Sequence, residues 1–159
     1  HGIEQSTANY ATACLWLGLA LGSPLINKIS DIMKSRKWPI TISTLVQLAA
    51  LAAAIYLPIN GMMAMVLYFI FGFANAGHML NFTAAGDIVP PRLIGTSASI
   101  VNGMMFVLGG ILMGLPGNLL NGTQGLLPDY QHAMSLCLVA LAIAFGISFL
   151  IKECYPKNQ

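Results

Sequence analysis

Apolar residues fill the chain in five long runs, separated by short segments where glycine, proline and polar residues collect. The runs cover roughly residues 8–29, 40–58, 62–86, 96–117 and 132–151, each close to the ~20 residues a helix needs to cross the hydrocarbon of a bilayer. The connections between them leave no room for a folded domain. The pattern predicts an all-α, polytopic membrane helix bundle with five transmembrane helices spread over residues 1–159.

Polar positions divide these runs unequally. The first, NYATACLWLGLALGSPLINKI, carries Trp16, Ser23 and Asn27, a Gly18–Gly22 pair at the spacing of close helix contact, and Pro24 near its end. The second has little polarity after its first turns except Gln47, and the fifth is similarly bland. Both suit the lipid-facing rim of a bundle. Pro58 with Asn60–Gly61 marks a turn.

The third run repeats Asn75, His78 and Asn81 at intervals of three. At about 1.5 Å per residue from an edge near Asp87, His78 lies ~13 Å deep, against ~15 Å for half a hydrocarbon core. Ionisable residues at that depth usually face a bundle interior or a watery cavity. The fourth run holds Gly103, Gly109, Gly110, Gly114 and Gly117, with Asn102 its deepest amide and Pro116 near its outer end. That glycine content predicts tight packing against a neighbour. The contrast suggests three helices around a polar pathway and two supporting ones.

Composition strengthens the membrane assignment. The chain is 57% hydrophobic and 8% charged, whereas soluble domains carry about 25% charged residues. The acidic Glu4 before the first run, in place of a basic cluster, argues against a signal peptide. Cys14, Cys137 and Cys154 have no metal-site or redox-motif spacing.

All seven Lys and Arg residues fall on one side if five spans alternate. Lys28, Lys34, Arg36 and Lys37 follow the first run, Arg92 the third, and Lys152 and Lys157 the fifth. The other side holds only Glu4 and Asp129. Positive charge marks the cytoplasmic side, which puts the C-terminus in the cytoplasm and the N-terminus outside. With an outside start, an odd span count and no initial methionine, the chain reads as the last part of a longer protein. These basic residues belong to membrane edges, and nothing in them points to nucleic acid.

Two segments resemble the major facilitator superfamily. In GSPLINKISDIMKSRKWP, the residues Ser30, Asp31, Arg36 and Lys37 agree with the family's loop between helices eight and nine, as does the Gly22–Ser23–Pro24 approach. Asn27, Ile32 and Lys34 stand where the family commonly has glycine, arginine and glycine. In GDIVPPRLIGTSASIVNGMMFVLGG, the residues Asp87, Pro90, Arg92, Gly95, Thr96 and Ala98 match the link from helix ten to helix eleven, with Ser97 inserted. The resemblance implies helices eight to twelve of a twelve-helix fold, with the N-terminal half and helix seven elsewhere. It also implies alternating access, with helices nine and twelve peripheral.

On this resemblance the expected function is secondary transport of a small polar solute across a bacterial inner membrane, amino acids and related metabolites being candidates and protons a candidate coupling ion. The candidate pathway residues are His78, Asn75, Asn81, Trp16 and Asn102. Each has a plainer alternative as a helix-to-helix hydrogen bond or packing group. Asp31, Arg36 and Lys37 are candidates for a cytoplasmic latch, with Asp87 and Arg92 a second pair or helix-end anchors.

The sequence holds no phosphate-binding loop, nucleophile elbow or zinc signature, so no enzyme activity, cofactor or metal is expected. His78 and Asp87 lie ~13 Å apart along one helix, too far for a direct catalytic pair. The Met62–Met63 and Met104–Met105 pairs fit packing better than soft-metal binding. Asn121–Gly122–Thr123 matches a glycosylation acceptor. A non-transporting receptor or scaffold with a transporter-like fold remains the competing expectation.

Overall fold

The computed structural model describes residues 2–156. It contains α1 (Gln5–Met33), α2 (Lys37–Tyr56), α3 (Gly61–Asn75), α4 (Met79–Asp87), α5 (Ile94–Leu120) and α6 (Leu127–Ser148). Short 3-10 turns at Ala76–His78 and Pro91–Leu93 join α3 to α4 and lead into α5. Five spans are long and apolar enough to cross a membrane, with α3 and α4 together making the third.

The third span is therefore one crossing with a broken middle. A 3-10 turn tightens the ladder at Ala76–His78, a feature that often marks a hinge when it interrupts a longer helix. No proline stands there to announce it. The first span runs through Pro24, and α5 continues past Pro116 to Leu120. Helix α6 begins at Leu127, five residues before the expected 132. Pro128 suits its first turn, and the Asp129 carboxylate accepts the Leu126 N–H at 2.9 Å. The Asn60 side chain caps α3 by accepting the Met63 N–H at 2.9 Å.

Helix α1 ends on Lys34, which sits in the left-handed region at φ 50°, ψ 42°. Its N–H and that of Ser35 close the helix by donating to the Asp31 and Ser30 carbonyls. Glycine is the usual residue at such a terminus because a Cβ is disfavoured there.

The α1–α3 contact is the tightest in the bundle. A Cβ on Gly18 would lie 2.3 Å from the Phe69 carbonyl oxygen, one on Gly22 2.5 Å from that of Phe73, and one on Gly72 2.0 Å from that of Leu15. The Gly18–Gly22 spacing thus lets two backbones touch, as expected. Near the basic end, Ile26, Ile40, Ala76 and Leu80 form a core that Leu19, Phe73 and Ile151 cover. Ala11, Ile59 and Ala64 form a smaller core at the other end.

Two expectations require correction within this chain. Helix α2 is no bland rim: Thr41, Ser43, Gln47 and Ala50 are buried, and Gln47 Nε2 donates to the Ala74 carbonyl at 3.3 Å. Gln47 thus bonds across to α3, while the Thr41 hydroxyl donates to the Lys37 carbonyl of its own helix at 3.1 Å, as burial in an apolar setting demands. Helix α5 is the least enclosed span, with Pro116 its only buried residue. A Cβ on Gly103, Gly109, Gly110, Gly114 or Gly117 would meet nothing within 4 Å. The glycine-rich surface of α5 has no partner among the described residues, because α5 touches the bundle through α4 and α6.

Candidate functional site

Helix ends and the tail converge at the end of the bundle that carries the basic loop. The α1–α2 turn is three residues long, so it sets Arg36 directly between the C-terminus of α1 and the N-terminus of α2. Arg36 is only 8% exposed, which obliges its donors to find partners. Nη1 donates to Asp31 Oδ1 at 2.8 Å and to Ser30 Oγ at 3.0 Å, and Nε donates to Asp87 Oδ2 at 3.0 Å. The Tyr155 ring covers the guanidinium, 4.7 Å from Cζ to its centroid.

The backbone of the same loop holds a third carboxylate. The Arg36 N–H donates to Glu153 Oε1 at 2.8 Å, and the Ser35 hydroxyl donates to Glu153 Oε2. Glu153 Oε1 also accepts the N–H groups of Cys154 and Tyr155, both at 3.1 Å. Ser30 ties the turn together by donating to the Ser35 carbonyl at 2.7 Å. Lys37 Nζ reaches the Phe149 carbonyl at 2.7 Å, at the C-terminal end of α6, where a cation complements the helix dipole.

The electrostatics follow from this geometry. Burial acts to lower the pKa of Arg36, but hydrogen bonds and charge from Asp87 and Asp31 outweigh it and raise it above its ordinary value. Burial acts to raise the pKa of Glu153, but the Ser35 hydroxyl and the N–H groups of Arg36, Tyr155 and Cys154 outweigh it and lower it. Burial raises the Cys154 thiol, with the charges of Asp87 and Glu153 adding to it. The cluster thus sets one guanidinium among the carboxyl groups of Asp31, Asp87 and Glu153, which come from separate segments of the chain.

Of the expected latch residues, Asp31, Arg36 and Asp87 meet directly. Lys37 acts one step away, on α6. Arg92 lies on the exposed turn Pro91–Leu93 and makes no ion pair among the described residues. Asp87 is joined to Arg36 instead, so of the two roles expected for Asp87 and Arg92 the ion pair is not formed among the described residues. Glu153 and Tyr155 were missed. Their only sequence signal is that Glu153 is the sole acid after the last span.

The candidate pathway residues are less united. His78 and Asn81 line a cavity of about 160 Å³ with Ile40, Thr44 and Gln47 of α2 and Leu141 and Ala144 of α6. The His78 ring engages the Asn75 carbonyl through Nδ1. Thr44 hydroxyl donates to the Ile40 carbonyl at 2.9 Å. Trp16 on α1 is 63% exposed and Asn102 on α5 is exposed, and neither lines this cavity. The walls beside His78 thus come from α2 and α6, the two helices expected to be supporting.

Among the described residues no group of three or more His, Cys, Asp or Glu side chains could hold a metal. No match was found among curated proteins or among solved structures. The family profile described as Major Facilitator Superfamily matches residues 1–158. With five membrane-length helices and a match across nearly its whole length, the chain belongs to the major facilitator superfamily.

Proposed function

We propose that the chain is part of a carrier that moves a small polar solute by alternating access, and that the Arg36 cluster closes its cytoplasmic side. One observation carries this: Arg36 is buried and bonded to carboxylates at the ends of both α1 and α4. A buried cation shared between two helix ends favours one arrangement strongly, because separating the ends strands a charge. A rocking bundle needs such a discrete bias. The exposed, glycine-rich α5 and the exposed face of α1 suit packing against further helices of a twelve-helix fold.

The solute classes to test are amino acids and related metabolites, with the proton as coupling ion. Asn75, Trp16 and Asn102 are the proposed pathway contacts. His78 and Asn81, in their cavity beside α2 and α6, are proposed to bind a proton or hydrogen-bond the solute. The bacterial inner membrane, with the basic side cytoplasmic, fits the charge distribution.

The test is uptake into proteoliposomes, with and without a pH gradient, beside a His78→Ala variant. Saturable, gradient-dependent uptake that is lost in the variant supports the proposal. Uptake that ignores the gradient and the variant removes His78 and the proton from it. No uptake by folded protein favours a receptor or scaffold.

A further inference from the structure

We propose that Tyr155 is a positioning residue, whose ring caps the Arg36 guanidinium and straps residues 149–156 over the cluster so that Arg36 stays on Asp87. The proposal rests on the gate assigned above.

The tail is seated at several points. Lys37 holds the Phe149 carbonyl, Ile151 packs against the core around Ile26 and Leu80, and Glu153 takes the Arg36 N–H and the Ser35 hydroxyl. By also accepting the N–H groups of Cys154 and Tyr155, Glu153 turns the chain back on itself. The turn delivers the Tyr155 ring to the guanidinium.

A guanidinium donates only in its plane, and Asp31, Ser30 and Asp87 take donors there. Its face cannot be satisfied by another acceptor. An aromatic ring attracts the cation from that face without competing for an N–H. Removing the ring opens the face to water, and a higher local dielectric weakens the pair with Asp87.

Cys154 supplies a native reporter. It lies between Glu153 and Tyr155, is partly buried, and its thiol is pushed up by burial and by the nearby carboxylates. A closed strap keeps it slow to alkylate, since the thiolate is the reactive form.

The experiment is N-ethylmaleimide labelling of Cys154 in full-length protein in nanodiscs, where both faces are open to reagent, with Cys14→Ser and Cys137→Ser in the background. Tyr155→Phe keeps the ring and should label at the parent rate. Tyr155→Leu keeps apolar bulk and should label faster by roughly five- to thirty-fold, the range expected for losing one such contact. In an Arg36→Gln background, where Glu153 still has its backbone partner, the Leu and Phe variants should label alike. Equal rates for Leu and Phe in the parent protein would overturn the proposal. So would a Leu–Phe difference that persists undiminished with Arg36→Gln, since packing alone would then hold the strap. Labelling needs no solute, so a strap that behaves as expected in a protein whose accessibility ignores Asp87 would remove the gate and leave the hold of Tyr155 on Arg36 standing.

Discussion

Arg36 is bonded to two aspartates that differ in their access to water. The Asp87 side chain is 18% exposed and that of Asp31 57%. Breaking a shielded pair leaves an uncompensated charge, whereas a pair open to solvent contributes little. Asp87→Asn should therefore destabilise the fold by about 3 kcal/mol and Asp31→Asn by less than ~1 kcal/mol, as read from thermal unfolding in nanodiscs. Glu153 adds a pH dependence. Its folded pKa lies below the ordinary 4.5, so its stabilisation is complete above that value and is lost as pH falls through the lower folded one. Glu153→Gln should abolish that acid-sensitive component of an unfolding-versus-pH profile. Lys34 pays a steric penalty for its left-handed backbone. Lys34→Gly should stabilise by about 0.5–1 kcal/mol, after the greater chain entropy of glycine is set against the relief of strain. The loop's departure from the family's glycine was legible in sequence; that the backbone still adopts the glycine conformation was not.

Among the elements, the α1–α3 crossing tests whether small residues are structural. Gly72→Leu would drive a side chain into the Leu15 backbone and should cost about 3 kcal/mol or more, near the top of the range for overpacking. Gly103→Leu meets nothing among the described residues, so a comparable cost in the same measurement of folded yield and melting on the full protein would report the proposed packing of further helices on α5. The spacing of Gly18 and Gly22 was informative because both lie on the face that meets α3. The same spacing at Gly110 and Gly114 pointed to a contact that is not made among the described residues. Spacing reports that a surface is small, and only topology says what meets it. The break at Ala76–His78 was hidden for a related reason. Hydropathy and length read residues 62–86 as one span, and neither responds to a change from α to 3-10 hydrogen bonding. Polarity misdirected the assignment of α2, since Thr41, Ser43 and Gln47 are buried rather than exposed, with Gln47 bonded to α3 and Ser43 beside Gly77.

For the whole molecule, span number and the clustering of basic residues followed from the sequence because each depends on local composition. Six of the seven basic residues lie in the described part, and Lys157 is outside it. The convergence of Asp31, Arg36 and Asp87 was half legible, through the two family-like segments. The contribution of Glu153 was not, since its partners Ser35 and Arg36 stand 118 and 117 residues away and nothing in a single sequence records so distant a pairing. The most direct test of the gate places a single cysteine at Asn102, with Cys14, Cys137 and Cys154 replaced by serine, in full-length protein in sealed vesicles of either orientation. Labelling by a membrane-impermeant maleimide is then compared between the parent and Asp87→Asn. Release of the gate should speed labelling from the basic side and slow it from the other, by up to about tenfold for each 1.4 kcal/mol of bias removed. Rates unchanged on both sides, or raised equally on both, would contradict a gate built on Arg36.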